Sequence, residues 1–180
     1  MPEQEAPRWS RYRTERLELR AASVDDLAQL YEIHHDAATW RHKPAARHLD
    51  PATTERAVRN TERCWRRDRL GYWAVRLAGT DQIIGIGGAE RRPDHWNLYY
   101  RFRPSAWGHG YATEVCRAAV EAATDLAPAL PIVAWIDPVN EESSRVARRL
   151  GLIDRGTHMR PSGNRMRGYS DRPLPGPAEP

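Results

Sequence analysis

The stretch that constrains this chain most runs from Arg103 to Glu114 and reads Arg-Pro-Ser-Ala-Trp-Gly-His-Gly-Tyr-Ala-Thr-Glu. Before it, Tyr99-Tyr100-Arg101-Phe102 alternates as a strand does. After it, Ala112 to Leu126 carries the Ala-rich periodicity of a helix, with Val115, Ala118, Ala119 and Ala122 on one stripe. A strand that passes through two closely spaced glycines into a helix can bind phosphate. The glycines let backbone approach an anion, and the free N–H groups of the first helical turn point at it. Gly-x-Gly before a helix is also what a plain tight turn looks like, so the rest of the chain has to decide between the two.

At 180 residues the chain suits one domain, with seven Trp and seven Tyr as its bulkiest core material. The boundaries expected are a disordered lead-in over 1–12, a single domain over 13–172 and a Pro-rich tail over 173–180. The net charge of +4 is carried almost entirely by Arg, Lys43 being the lone lysine. That balance suits an anionic ligand, but 24 acidic residues interleave with the basic ones and no groove-reading motif stands out, so nucleic acid is not expected. Cys64 and Cys116 stand apart, without disulfide or zinc spacing, and no apolar run is long enough for a membrane span. His34, His35, His42 and His48 crowd one region, but no carboxylate or Cys spacing completes a metal site. A reducing cytoplasm, no membrane partner and a monomer or homodimer are the expectation.

In order, the chain predicts a strand over 14–20 and a helix opened by Ser23 and Asp25-Asp26. A second helix follows, capped by Asp50 with Pro51 at its first position and carrying Ala57, Val58, Thr61, Cys64 and Trp65 toward the core. Strands are expected over 72–78, 83–90 and 96–102, then the glycine loop and its helix. An apolar strand over 131–136, a short helix over 141–150 ended by Gly151, and a closing hairpin around Pro161 to Asn164 complete the pattern. The order implies a mixed α/β fold with helices on both sides of the sheet.

Three segments carry a family resemblance. The loop from Trp107 to Glu114 resembles the cofactor loop of the GNAT superfamily of N-acetyltransferases, in the form used by the branch that acetylates ribosomal-protein N-termini. Asp137-Pro138-Val139-Asn140-Glu141-Glu142-Ser143, followed by Leu150-Gly151-Leu152, resembles that family's second cofactor helix. Thr14-Glu15-Arg16-Leu17-x-Leu19-Arg20 resembles its opening strand. The chain departs from the pattern at Trp107, where the general family has Arg or Gln, and at Leu152, where an aromatic is usual.

The resemblance implies a mixed, mostly antiparallel, splayed sheet flanked by helices, and an N-acetyltransferase that moves an acetyl group from acetyl-CoA to a primary amine, either a peptide N-terminus or a small amine. A non-catalytic acyl-CoA-binding module is the competing class, because binding resides in backbone geometry whereas catalysis needs placed acids and bases. By resemblance the cofactor would lie against Tyr100, Arg101, Phe102 and Arg103 and against the loop Trp107, Gly108, His109, Gly110, Tyr111, Ala112 and Thr113, with Asn140 and Ser143 beyond. Ser143 would protonate the departing thiolate and Asn140 would orient the cofactor, although both residues also suit a helix cap. The base is open: Glu90 comes first, then Asp94 and Tyr99, and water with local desolvation could replace all three. Tyr31, His35 and Trp40, with Glu90, would wall the acceptor.

Overall fold

The computed structural model describes residues 6–174. Eight strands form one sheet in the order β1-β2-β3-β4-β5-β6-β8-β7: β1 Arg11–Arg13, β2 Leu17–Ala21, β3 Tyr72–Leu77, β4 Ile83–Arg91, β5 Trp96–Phe102, β6 Ile132–Ile136, β7 Ile153–Met159 and β8 Arg165–Ser170. All neighbours are antiparallel except β5 and β6. Helices α1 Leu27–His35 and α2 Pro51–Asp68 cover one face through Leu30, Ile33 and Val58, which pack on Ala74, Ile83 and Ile86. Helices α3 Tyr111–Leu126 and α4 Glu141–Arg149 cover the other, where Val115, Ala118, Ala119, Ala122 and Ala147 join Val75, Ile84, Leu98 and Phe102. Ile83 and Ile86 share a face although three residues apart, because the β3–β4 register shifts between Val75 and Arg76.

Local chemistry fixes the element ends. The Asp50 carboxylate accepts the Ala52 N–H at 2.9 Å, with Pro51 in the first turn where its missing N–H costs nothing. The Asn140 side chain accepts the Ser143 N–H at 3.1 Å, and Gly151 closes α4 at φ +79°.

Two expectations need correcting. The lead-in 1–12, expected to be disordered, is structured where it is described. Arg8–Ser10 makes a 3₁₀ turn into β1, and Trp9 is buried, its carbonyl accepting the Trp73 indole N–H at 2.7 Å. Burying that ring outweighs the polar composition around it. In α2 the inward residue is Thr54, not Ala57, which is exposed. The tail expected over 173–180 lies outside the described residues from 175 on.

Candidate active site

The sheet opens where β5 meets β6. The two strands pair only at Trp96–Ile132 and Asn97–Val133, and beyond that point β6 pairs with β8 alone. Trp96 donates its N–H to the Pro131 carbonyl on the β6 side, whereas Arg103 donates to the Ile84 carbonyl on β4. By alternation the backbone groups of Leu98, Tyr100 and Phe102 face the gap, and those of Tyr99, Arg101 and Arg103 face β4. Of the four strand residues expected beside a cofactor, Tyr100 and Phe102 therefore present edge groups, and the Phe102 carbonyl already accepts the Trp107 indole N–H at 3.0 Å. Arg101 and Arg103 do not. The Arg103 side chain bonds to the Ile83 carbonyl and to Glu32 at 2.6 Å, and the Arg101 guanidinium lies 3.4 Å over the Trp40 ring.

Directly after β5 comes the glycine loop. Gly108 and Gly110 adopt φ of +79° and +81°, a conformation that costs a side-chain-bearing residue about 1–2 kcal/mol. The first backbone N–H of α3 to find a carbonyl one turn back is that of Glu114, bonded to Gly110 at 3.1 Å. The N–H groups of Tyr111, Ala112 and Thr113 thus begin the helix with no earlier carbonyl to pair with. The Thr113 hydroxyl is buried and has no partner among the described residues. His109 stacks on Tyr111 at 5.4 Å, and half-exposed Trp107 carries Arg41 4.9 Å above its ring.

On the α3–α4 face, the Tyr100 phenol donates to the Ser143 hydroxyl oxygen at 3.0 Å. Burial pushes the phenol well above its ordinary pKa, so it stays protonated and remains a donor. With its oxygen occupied as an acceptor, the Ser143 hydroxyl is left to donate elsewhere. This partnership was missed from sequence, which assigned Tyr100 only a backbone role.

The opposite face holds a cavity of about 220 Å³, lined among others by His34, His48, Tyr72, Glu90 and Tyr99. Glu90 is 2% exposed; Thr61 donates to one carboxylate oxygen at 3.0 Å and Arg92 to the other at 3.3 Å. His34 bonds to the Leu30 carbonyl through Nδ1 at 2.8 Å, which leaves Nε2 as the free nitrogen, and burial lowers its pKa to about 4. It stacks on His48 at 4.6 Å, whose pKa is lowered too, first by burial and then by the charges of Arg101 and Arg56. Trp40, expected on the acceptor wall, does not line the cavity but packs behind it, its ring 5.5 Å from that of His48 and its indole donating to the His34 carbonyl at 2.6 Å. Tyr31 and His35, expected as acceptor contacts, do not line the cavity. They bond to one another at 3.0 Å and to the carbonyls of Leu49 and His48. Neighbouring histidines on a helix point to different faces, and the one facing inward is His34. Asp94, a second candidate base, is half exposed and pairs with His95. Among the described residues, no group of three or more His, Cys, Asp or Glu could hold a metal ion, and no helix is long and apolar enough to cross a membrane.

The sheet is splayed after Asn97 and Val133, with a loop whose first helical N–H groups are unpaired at one side of the gap and a cavity containing Glu90 and His34 at the other. The family of the Acetyltransferase (GNAT) domain matches residues 16–153, and the chain belongs to it. GNAT acetyltransferases are acyltransferases that draw on acyl-CoA. The fold is shared with an acetyltransferase from Agrobacterium tumefaciens str. C58 (TM-score 0.77, 22% identity, 91% of this chain and 94% of that one covered). It is shared also with RimL, a ribosomal L7/L12 alpha-N-protein acetyltransferase solved in complex with coenzyme A (TM-score 0.72, 17% identity, 87% and 94%). A third is the ribosomal-protein-S5-alanine acetyltransferase from Vibrio fischeri (TM-score 0.69, 16% identity, 89% and 95%). The residues present fit an acyl-CoA: the free N–H groups before Glu114, the unpartnered Thr113 hydroxyl and the unpaired Tyr100 edge are what a diphosphate and an amide chain require.

Proposed function

We propose that this chain is an acetyl-CoA-dependent N-acetyltransferase that acts on a primary amine, at a peptide or protein N-terminus or on a small molecule. The observation that carries the reading is the parting of β5 and β6 after Asn97 and Val133, with Tyr99 and Tyr100 projecting to opposite faces of that gap. Loop residues 107–113 would hold the diphosphate, and the Tyr100 edge the amide arm. Bound there, acetyl-CoA supplies an activated acetyl thioester.

The chain's own residues then manage two protons. An ammonium has no lone pair to attack with, so the acceptor amine must lose a proton, and Glu90 is the one carboxylate lining the acceptor cavity. His34 lines it as well, but a pKa of about 4 makes it a poor base and suits it to accept a hydrogen bond from the amine. The departing sulfur needs a proton, and the Ser143 hydroxyl, polarised by Tyr100, donates it. Asn140 holds the turn from which Ser143 projects. The likeness to ribosomal-protein acetyltransferases supports including polypeptide N-termini among the acceptors.

The test is a panel of short peptides, free amino acids, diamines and aromatic amines, with thiol release from acetyl-CoA as the readout. Release well above hydrolysis with at least one amine is expected. Tight coenzyme A binding without acceptor-dependent release across the panel would overturn the enzyme reading.

A further inference from the structure

Glu114 presents a physical problem for an anion-binding loop. It lies in the first turn of α3, where a carboxylate competes with a bound diphosphate for the same positive helix end and repels it. Burial alone would raise its pKa, but hydrogen bonds from Thr14 and Arg16, with the charge of Arg16, outweigh that and hold it below the usual carboxylate range. It is therefore a carboxylate at neutral pH.

Arg16 answers that charge from the turn between β1 and β2. Its Nη2 lies 2.6 Å and its Nε 2.8 Å from one Glu114 oxygen; its backbone N–H donates to the other at 3.0 Å, an oxygen also held by the Thr14 hydroxyl. The same guanidinium donates from Nη1 to the His109 carbonyl at 2.9 Å and lies 4.9 Å over the Tyr111 ring. A Cβ placed on Gly110 would stand 3.6 Å from Nη2. One side chain thus fastens residues 109, 111 and 114, engages the one loop carbonyl between the two glycines, and cancels the one carboxylate in the first turn. A lone surface ion pair is worth little, whereas this guanidinium makes four contacts to three residues, and the Arg16 backbone N–H adds a fifth.

We infer that Arg16 is a positioning residue for cofactor binding, which neutralises Glu114 and orients the His109 carbonyl so that the glycine loop can accept a diphosphate. The inference rests on the cofactor reading above. It separates from a merely structural role by the sign of one substitution. If the pair only braces the fold, E114Q weakens the loop as R16Q does. If charge governs, E114Q leaves an uncompensated guanidinium at the anion site and tightens binding, whereas R16Q leaves a bare carboxylate there.

The experiment is calorimetry with coenzyme A on wild type, R16Q, E114Q and the double variant, together with turnover of acetyl-CoA and of acetyl-pantetheine, a donor without the diphosphate. R16Q is expected to raise Kd for coenzyme A about tenfold, within the range of a charge at a helix end, and less so at high salt. E114Q should bind at least as tightly as wild type, and R16Q/E114Q should recover most of the loss. The R16Q penalty should fall on KM for acetyl-CoA and not appear in the acetyl-pantetheine rates. Weakening by E114Q, or a double variant as weak as R16Q, overturns the inference while leaving the enzyme reading standing. Failure of wild type to bind coenzyme A overturns both. A melting curve on each variant checks that it folds; if R16Q does not, R16K takes its place, keeps the charge and should bind coenzyme A within about threefold of wild type, and a loss of about tenfold or more for R16K counts against the charge argument.

Discussion

Ser143→Ala separates the two roles open to this residue, and the structure allows each to be priced. The cap on α4 is made by the Asn140 side chain accepting the Ser143 backbone N–H, so the substitution leaves it in place. What is lost is the acceptor for the Tyr100 phenol. A buried hydroxyl left without a partner costs about 1–3 kcal/mol. For a domain of this size that lowers Tm by roughly 2–12 °C, at about 2–4 °C per kcal/mol. Tyr100→Phe removes the stranded donor, so the double variant S143A/Y100F should be no less stable than S143A, a coupling that a double-mutant cycle reads directly. The catalytic cost is of another size. Losing a placed proton donor slows turnover by about 10²–10⁴-fold, whereas Y100F, which removes only the polarising bond, should cost about tenfold or less. The assay is thiol release at saturating acetyl-CoA with the best acceptor, alongside calorimetry to show that cofactor affinity is kept. A turnover of S143A within threefold of wild type would refute Ser143 as the donor. A larger loss for Y100F than for S143A would make the phenol the donor and Ser143 its anchor.

Glu90→Gln should bind coenzyme A normally and acetylate slowly, with a deficit largest near neutral pH that shrinks in alkali as solvent deprotonates the amine; a pH-independent ratio of mutant to wild-type rate counts against base catalysis. Gly110→Asp adds a side chain to a residue at φ +81° and a negative charge at the anion site, and should weaken coenzyme A binding at least about 100-fold by calorimetry. His34 gives a stability prediction. Its folded pKa of about 4 lies below the ordinary 6.5, so between those values the unfolded chain binds the proton and the folded chain does not. The contribution is intact above pH 6.5 and falls as pH drops toward 4, by about 3 kcal/mol in all; His34→Phe should flatten that part of the Tm-versus-pH curve, and an unchanged slope refutes the assignment.

What could be read ahead of the structure followed a simple physical division. Strand β5 runs over the predicted residues because alternating aromatics between turn residues leave few other options, and α3 and its loop follow from glycine spacing and the Ala-rich stripe. Contacts that depend on one polar atom meeting another across the fold leave no periodic trace. Thr61 was expected on the buried stripe of α2 and lies there, its hydroxyl on Glu90, but Thr54, whose hydroxyl meets His48, was missed because composition alone put Ala57 inward instead. The choice between His34 and His35 depended on the phase of a nine-residue helix, where one position moves a side chain by 100°. Trp9 was hidden in a polar lead-in, although a tryptophan among charged residues is itself a reason to expect an anchor.

The same alternation explains how a single strand could serve both of the proposed proton transfers. Tyr99 and Tyr100 are adjacent, so one side chain must enter the cavity that contains Glu90 and the other must reach Ser143 on the far face. A slip of β5 by one residue would exchange them, placing the phenol that holds Ser143 among the histidines and turning the edge groups of Tyr100 toward β4. The register is therefore under a stricter demand than packing alone would impose. Gly85 meets it: a Cβ there would stand 2.4 Å from Phe102 Cδ1 and 2.8 Å from the Arg101 carbonyl. The Phe102 ring occupies the space a side chain at 85 would take, and only a residue without one accepts it. Phe102 in turn ends β5 at the point where its carbonyl receives the Trp107 indole and the glycine loop begins. The fit of one aromatic ring over one glycine would thus align the proposed amine, thiol and phosphate sides of the gap together.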